Sequence, residues 1–139
     1  MTATPREVVE QALRAGCAMN IEALLALMAP DGHIEWPYHP TGAPARLNGR
    51  DEIRAYVASA AKAPIRWDDF VGLVMHETAD PEVVIVEYEA NGTVTTTGAT
   101  YRQRIIAVFR VRNGQIVSYR DYLNPLALAE AQAHTTERG

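Results

Sequence analysis

The sequence predicts an α+β domain in which three N-terminal helices lie on one face of a mostly antiparallel sheet. Apolar residues recur at helical spacing up to Ala60, and from Trp67 onward the period changes to two in runs rich in Val, Ile and Tyr. The 139 residues suit a single domain spanning 1–139. A folded chain of this size buries roughly two thirds of its unfolded surface, and a 47% hydrophobic content can fill that core.

The elements follow in order. Thr4-Pro5-Arg6-Glu7 combines a capping Thr, Pro at the first helical position and Glu at the third, which predicts a helix from about Pro5 to Met19. Asn20 caps a second helix, Ile21 to Met28, that stops at Pro30. Asp31-Gly32 is expected to turn into a short strand, His33 to Tyr38, followed by a Pro- and Gly-containing loop reaching Leu47. Asn48 or Gly49 opens a third helix with Ile53, Tyr56, Val57 and Ala60 on its buried face. Strands are expected over Trp67 to Thr78, Val83 to about Thr95, Tyr101 to Arg112 and Gln115 to Leu123, with a hairpin turn at Asn113-Gly114. Asn91-Gly92 carries the same turn signal inside the second of these, so the chain either turns there or continues and turns at Thr97-Gly98; local chemistry favours the first. The tail from Pro125 to Ala133 reads as helical. Strong curvature of such a sheet would leave a cavity beneath the helices, where small ligands bind.

Charge and motifs narrow the function. Acidic residues outnumber basic ones 17 to 13, and no basic stretch matches a row of phosphates, so nucleic acid is not an expected partner. The basic residues are all Arg except Lys62, and Arg keeps its charge beside apolar surface. Cys17 is the single cysteine, and neither a leader pattern nor a run of eighteen apolar residues is visible. The expectation is a cytoplasmic protein with no membrane partner. Neither serine, Ser59 or Ser118, sits in a Gly-x-Ser-x-Gly elbow, and no phosphate loop or dinucleotide fingerprint occurs.

Alternation along the last strand puts Val117, Tyr119, Asp121 and Leu123 on one face and Ser118, Arg120 and Tyr122 on the other. A carboxylate between Tyr119 and Leu123 on a core-facing side loses solvation, its pKa rises, and it can shuttle protons near neutrality; the competing reading pairs Asp121 with an Arg of a neighbouring strand. Glu87 and Glu89 form a second pair on one strand face, opposite Val84, Val86 and Tyr88. They either join Asp121 in the cavity or lie outside and pair with Arg102 and Arg104 across the ladder. His33, Glu35 and His39 invite a metal reading, but three convergent ligands cannot be placed, so no metal is expected and a pocket-lining His is preferred. Trp36, Tyr38, Tyr56, Tyr101 and Tyr119 form an aromatic set able to wall an apolar pocket.

Three stretches carry a family likeness: Ala29-Pro30-Asp31-Gly32-His33-Ile34-Glu35 after two helices, Leu47-Asn48-Gly49-Arg50-Asp51-Glu52-Ile53 at the start of the third, and Val108 through Asn113-Gly114 to Tyr122. With them the chain resembles the SnoaL-like branch of the nuclear transport factor 2-like superfamily, over about Pro5 to Ala133. The resemblance implies a cone of curved sheet wrapped around three helices, often dimeric through the sheet's outer surface, in a group that includes ketosteroid isomerases, limonene epoxide hydrolases, polyketide cyclases and phenazine-biosynthesis A/B proteins. Fold is shared there and chemistry is not. It places Asp121 at a pocket carboxylate, Tyr56 where the phenazine proteins carry a His, and His33 and Glu35 where the epoxide hydrolases hold a water. The hydrolase pattern is broken, because its Arg falls at Glu87 and its second acid at Glu89. The isomerase pattern is broken too, its base falling at Trp36 and its oxyanion donors at Ala12 and Ala107. Related strands continue through the equivalent of Asn91-Gly92, which moves the expected turn to Thr97-Gly98 and points Tyr101, Gln103, Ile105 and Ala107 at the cavity.

The expectation is therefore an acid/base enzyme of isomerase or cyclase type, working without a cofactor on a small hydrophobic metabolite. Asp121, Tyr56, His33 and Glu35 are its expected catalytic residues. Trp36, Tyr38, Glu87, Glu89, Tyr101, Gln103, Ile105, Tyr119 and Leu123 are expected to bind substrate. A non-catalytic binding module and an epoxide-hydrolase-like enzyme with rearranged carboxylates remain open beside it. Ile106 and Val108 among Arg102, Arg104 and Arg110 suit a homodimer interface with an apolar centre and charged rim.

Overall fold

The computed structural model describes residues 2–60 and 63–137, the side chains of 132–137 excepted; Lys62 lies outside the described residues. Among these, four helices accompany a six-stranded sheet. Helix α1 (Pro5–Cys17) begins with the expected reciprocal cap: Glu7 N–H donates to Thr4 Oγ1 at 3.2 Å, and Thr4 N–H to Glu7 Oε1 at 3.0 Å. Helix α2 (Ile21–Leu27) is capped by Asn20, whose Oδ1 accepts from Ala23 N–H. Strand β1 (Met28–Glu35) follows without a turn, then β2 (Arg46–Asn48) and α3 (Gly49–Ala60). The second half is β3 (Ile65–Glu77), β4 (Val83–Val94), β5 (Thr100–Arg112), β6 (Gln115–Tyr122) and α4 (Pro125–Glu137).

The strands lie in the order β2-β1-β6-β5-β4-β3. Only β1 against β6 is parallel; the other pairs are antiparallel. Register shifts interrupt β1/β6, β3/β4 and β5/β6, and irregularities of this kind bend and twist a strand. The result is a curved, unclosed sheet with α1 packed across β3, β4 and β5 and α3 against β1. Val8, Val9, Ala12 and Leu13 of α1 meet Val84, Val86, Ala107 and Phe109 of the sheet in one core, and Ile53 closes it from α3. A smaller cluster, Val94, Tyr101 and Ala131 with Trp67 and Leu128, fastens α4 over the end of β5.

One turn expectation is corrected here, and of the two sites weighed for the next hairpin the chain takes Thr97-Gly98. Asp31-Gly32 is not a turn: β1 already runs from Met28, and a Cβ at Gly32 would stand 2.7 Å from the Ile116 carbonyl oxygen, so glycine lets β1 approach β6. Asn91-Gly92 likewise lies inside β4, where a Cβ at Gly92 would meet Arg66 O at 2.6 Å and the Trp67 ring at 3.0 Å. The turn falls after Val94, with Gly98 at φ +76°, and the Asn113-Gly114 turn is where both residues take positive φ. The strand expected over His33 to Tyr38 ends at Glu35, because Trp36 N–H leaves the sheet to donate to Ala45 O at 2.8 Å.

Candidate active site

The sheet's two faces sort the expected residues. On β6, Tyr119 and Asp121 point under the helices, while Ser118, Arg120 and Tyr122 point away. Cross-strand partners share a face, so the register sets Val86, Ala107 and Asp121 in one inward row. A second row runs Val84, Phe109, Tyr119, Ile34 and Leu47. Ala107 reaches no further than Cβ, which leaves Asp121 the tallest group in its row.

Asp121 is half-buried as a residue, but its carboxyl tip is shut away: Oδ1 is out of reach of solvent and has no hydrogen-bond partner among the described residues. Oδ2 accepts the indole N–H of Trp36 at 3.3 Å. No Arg among the described residues pairs with it. Burial pushes the Asp121 pKa up to about 6, with the Trp36 hydrogen bond pulling the other way. Trp36 leans on Tyr56 of α3, ring centroids 5.5 Å apart. Tyr119 lies against Phe109, ring centroids 4.2 Å apart, and its phenol neighbours that of Tyr88. Burial first, and the Asp121 charge as well, raise the pKa of Tyr88 and Tyr119 and keep both phenols protonated. Ile105 and Leu123 pack against the same core.

Five expected site residues are not part of this interior. His33 and Glu35 share a face as expected, with His33 Nε2 3.0 Å from Glu35 Oε1, but it is the outer one: their β6 partners are Ser118 and Arg120, and Ile34 between them takes the inner side. Glu87 and Glu89 also point outward, because Val84, Val86, Tyr88 and Ala90 occupy the buried positions of β4. Glu87 pairs with His76 at 2.6 Å, and Glu89 lies within 4 Å of Arg102 and Arg104. Tyr38 is 59% exposed and rests edge-on against Tyr122 outside the sheet. Gln103 and Tyr101 do point inward, yet their polar atoms are used: Gln103 Nε2 donates to Tyr101 Oη and Asn124 O, and Gln103 Oε1 accepts from Asn124 N–H. Gln103 thereby ties β5 to the chain leading into α4.

Tyr88 is the inward polar group missing from the expectation. Its signal was the alternation in β4, since a buried Val84-Val86-Ala90 face carries Tyr88 with it once the glutamates are outside. Among the described residues no group of three His, Cys, Asp or Glu side chains is gathered as a metal site. Two depressions stand out, and Asp121 is in the wall of neither. The larger, about 930 Å³, opens on the outer face beside Tyr38, Ile106, Val108 and Tyr122, with Tyr88, Ile105 and Leu123 at its border. The smaller, about 590 Å³, lies between α1 and β3.

Residues 7–119 match the model of the SnoaL-like domain. The chain belongs to the SnoaL-like family. The uncharacterised protein YesE of Bacillus subtilis is 41% identical over 98 residues, 70% of this chain and 66% of that protein. An uncharacterised PhzA/B-like protein of Pseudomonas aeruginosa is 39% identical over 106 residues, 76% of this chain and 73% of its own. A solved Bacillus subtilis structure described as a candidate isomerase superposes with a TM-score of 0.84 at 33% identity, covering 91% of each chain. The SnoaL-like cone therefore accounts for the curved sheet, and no described helix is long and apolar enough to cross a membrane.

Proposed function

We propose that this SnoaL-like protein is an acid/base enzyme of isomerase or cyclase type, acting on a small hydrophobic carbonyl compound. The observation that carries this reading is Asp121: a carboxyl in an aromatic interior, one oxygen unpartnered among the described residues, with a midpoint of about 6. A group poised there takes and returns protons at neutral pH. As carboxylate it removes a proton from the carbon beside the carbonyl, and the C–H electron pair moves onto the carbonyl oxygen. The Tyr88–Tyr119 phenol pair supplies a donor for that developing charge, a role the broken isomerase pattern left empty at Ala12 and Ala107. Return of the proton to another carbon gives an isomer; attack of the enolate carbon on a second carbonyl gives a ring. The isomerase description of the Bacillus subtilis structure supports the first course. A hydrolase reading needs a second carboxylate beside Asp121, and its candidates Glu87 and Glu89 face outward.

The homodimer expected from the sequence stays part of the proposal. Ile106, 47% exposed, and Val108 lie in the outer-face groove with Arg104 and Glu89 at its margin.

The test is exchange of the acidic C–H protons of 2-tetralone, a bicyclic aromatic ketone, in deuterated buffer, followed by NMR. The wild-type protein is expected to speed exchange at about pH 7, and Asp121→Asn to abolish the effect. Equal exchange by both proteins would sink the assignment; tight binding of the ketone without exchange would favour the binding-module reading.

A further inference from the structure

Trp36, expected as a substrate-binding residue of the apolar wall, is among the described residues the one side chain that hydrogen-bonds Asp121. Its backbone is fixed from both sides: the N–H donates to Ala45 O at 2.8 Å, and the carbonyl accepts from His39 Nδ1 at 2.9 Å. The parallel register of β1 and β6, Ile34 beside Tyr119 and Glu35 beside Arg120, brings Trp36 alongside Asp121, and Tyr56 supports the indole ring.

We infer that Trp36 is a positioning residue: it holds Oδ2 of Asp121 and leaves Oδ1 as the single oxygen that exchanges a proton with substrate. The inference rests on the acid/base reading above. An indole N–H only donates and does not titrate in the working range. The oxygen it faces must therefore accept in both protonation states, as a carboxylate oxygen or as the C=O of the neutral acid. The acid proton is thereby placed on Oδ1, the oxygen without a partner among the described residues. In the forward step the substrate C–H bond breaks, Oδ1–H forms, and the C–H electron pair moves onto the carbonyl oxygen; the return step reverses this at the same oxygen. Rotation of the carboxyl to present Oδ2 would break the Trp36 bond. Among the described residues, the other titratable groups facing Asp121 are phenols, Tyr88 on β4, Tyr101 on β5 and Tyr119 on β6, all held protonated by burial.

The test is NMR of selectively labelled protein. In the wild type, the Trp36 indole N–H signal should shift with pH at the same midpoint as the Asp121 carboxyl carbon; that of Trp67, which stacks on Tyr101, should not, and the Trp36 shift should vanish in Asp121→Asn. Trp36→Phe keeps a ring against Tyr56 and removes the donor, and it should raise the Asp121 midpoint by about one pH unit. A role in packing alone predicts the opposite sign, because a loosened interior hydrates the carboxylate and lowers its midpoint. A Trp36 signal indifferent to Asp121, or a Trp36→Phe midpoint unchanged or lowered, overturns the inference. If Trp36→Phe does not fold, the wild-type and Asp121→Asn titrations decide. Failure of the acid/base reading shows separately, as ketone exchange that survives Asp121→Asn.

Discussion

Asp121 is costly to fold, and Asp121→Asn exposes how costly. The group titrates near 3.8 in an open chain and at about 6 in the folded protein, because burial disfavours its charge. The folded state thus holds the proton more tightly than the unfolded one. The stability this provides is fully present below about pH 3.8 and is lost as pH rises through about 6. A displacement of about 2 units at about 1.36 kcal/mol each amounts to about 3 kcal/mol, of which 2–3 kcal/mol, to order of magnitude, accrues between about pH 4 and 8. Asparagine cannot ionise, so the stability of Asp121→Asn relative to wild type should climb by about that amount over the same range. Near its melting point a chain of this length shifts by about 10 °C for such a change. Carboxylates held low by arginine, such as Glu82 at about 2 beside Arg112 and Arg110, lose stability in the opposite direction as pH falls, but they are common to both proteins and cancel. Urea unfolding of the pair at several pH values measures the difference directly, provided the slope with denaturant is unchanged. A difference that stays flat with pH would refute the buried-acid picture.

Gly92→Ala should destabilise by about 1–3 kcal/mol in equilibrium denaturation, because the new methyl would stand 2.6 Å from a backbone carbonyl that cannot swing aside. Gln103→Leu leaves the Asn124 N–H without its acceptor, at about 1–3 kcal/mol, and amide exchange should accelerate at Asn124 and along α4 more than in β4. Ile106→Glu places a charge at the centre of the outer-face groove and should shift sedimentation toward monomer while leaving Asp121 titration unchanged.

Local rules read the helices well, because the Thr4–Glu7 and Asn20 caps act within a few residues and nothing distant opposes them. They failed at Asp31-Gly32 and, on local chemistry, at Asn91-Gly92, where glycine serves a neighbouring strand instead of a turn; that demand comes from Ile116, Arg66 and Trp67, far along the chain. The resemblance supplied the second of these correctly. Asp121 was legible because alternation on β6 set it between Tyr119 and Leu123. Which face of β1 and of β4 looks inward was not legible for the polar residues: His33 and Glu35 alternate with Ile34 as regularly as Glu87 and Glu89 do with Tyr88. The parallel β1/β6 pairing decides the first case and the α1 contacts the second, and neither is encoded locally.

The Trp36 N–H to Ala45 O bond joins the two ends of loop 37–44. Beyond that neck and His39, which holds the Trp36 carbonyl, the loop's length is spent outside the junction, and Trp36 keeps its contact with Asp121. Closing a longer loop at the same neck costs only about 0.6 kcal/mol per doubling of length. The loop is thus a graft point: segments of other sizes and chemistries that keep His39 could be exchanged there to alter what approaches the protein, with the Trp36–Asp121 contact left in place.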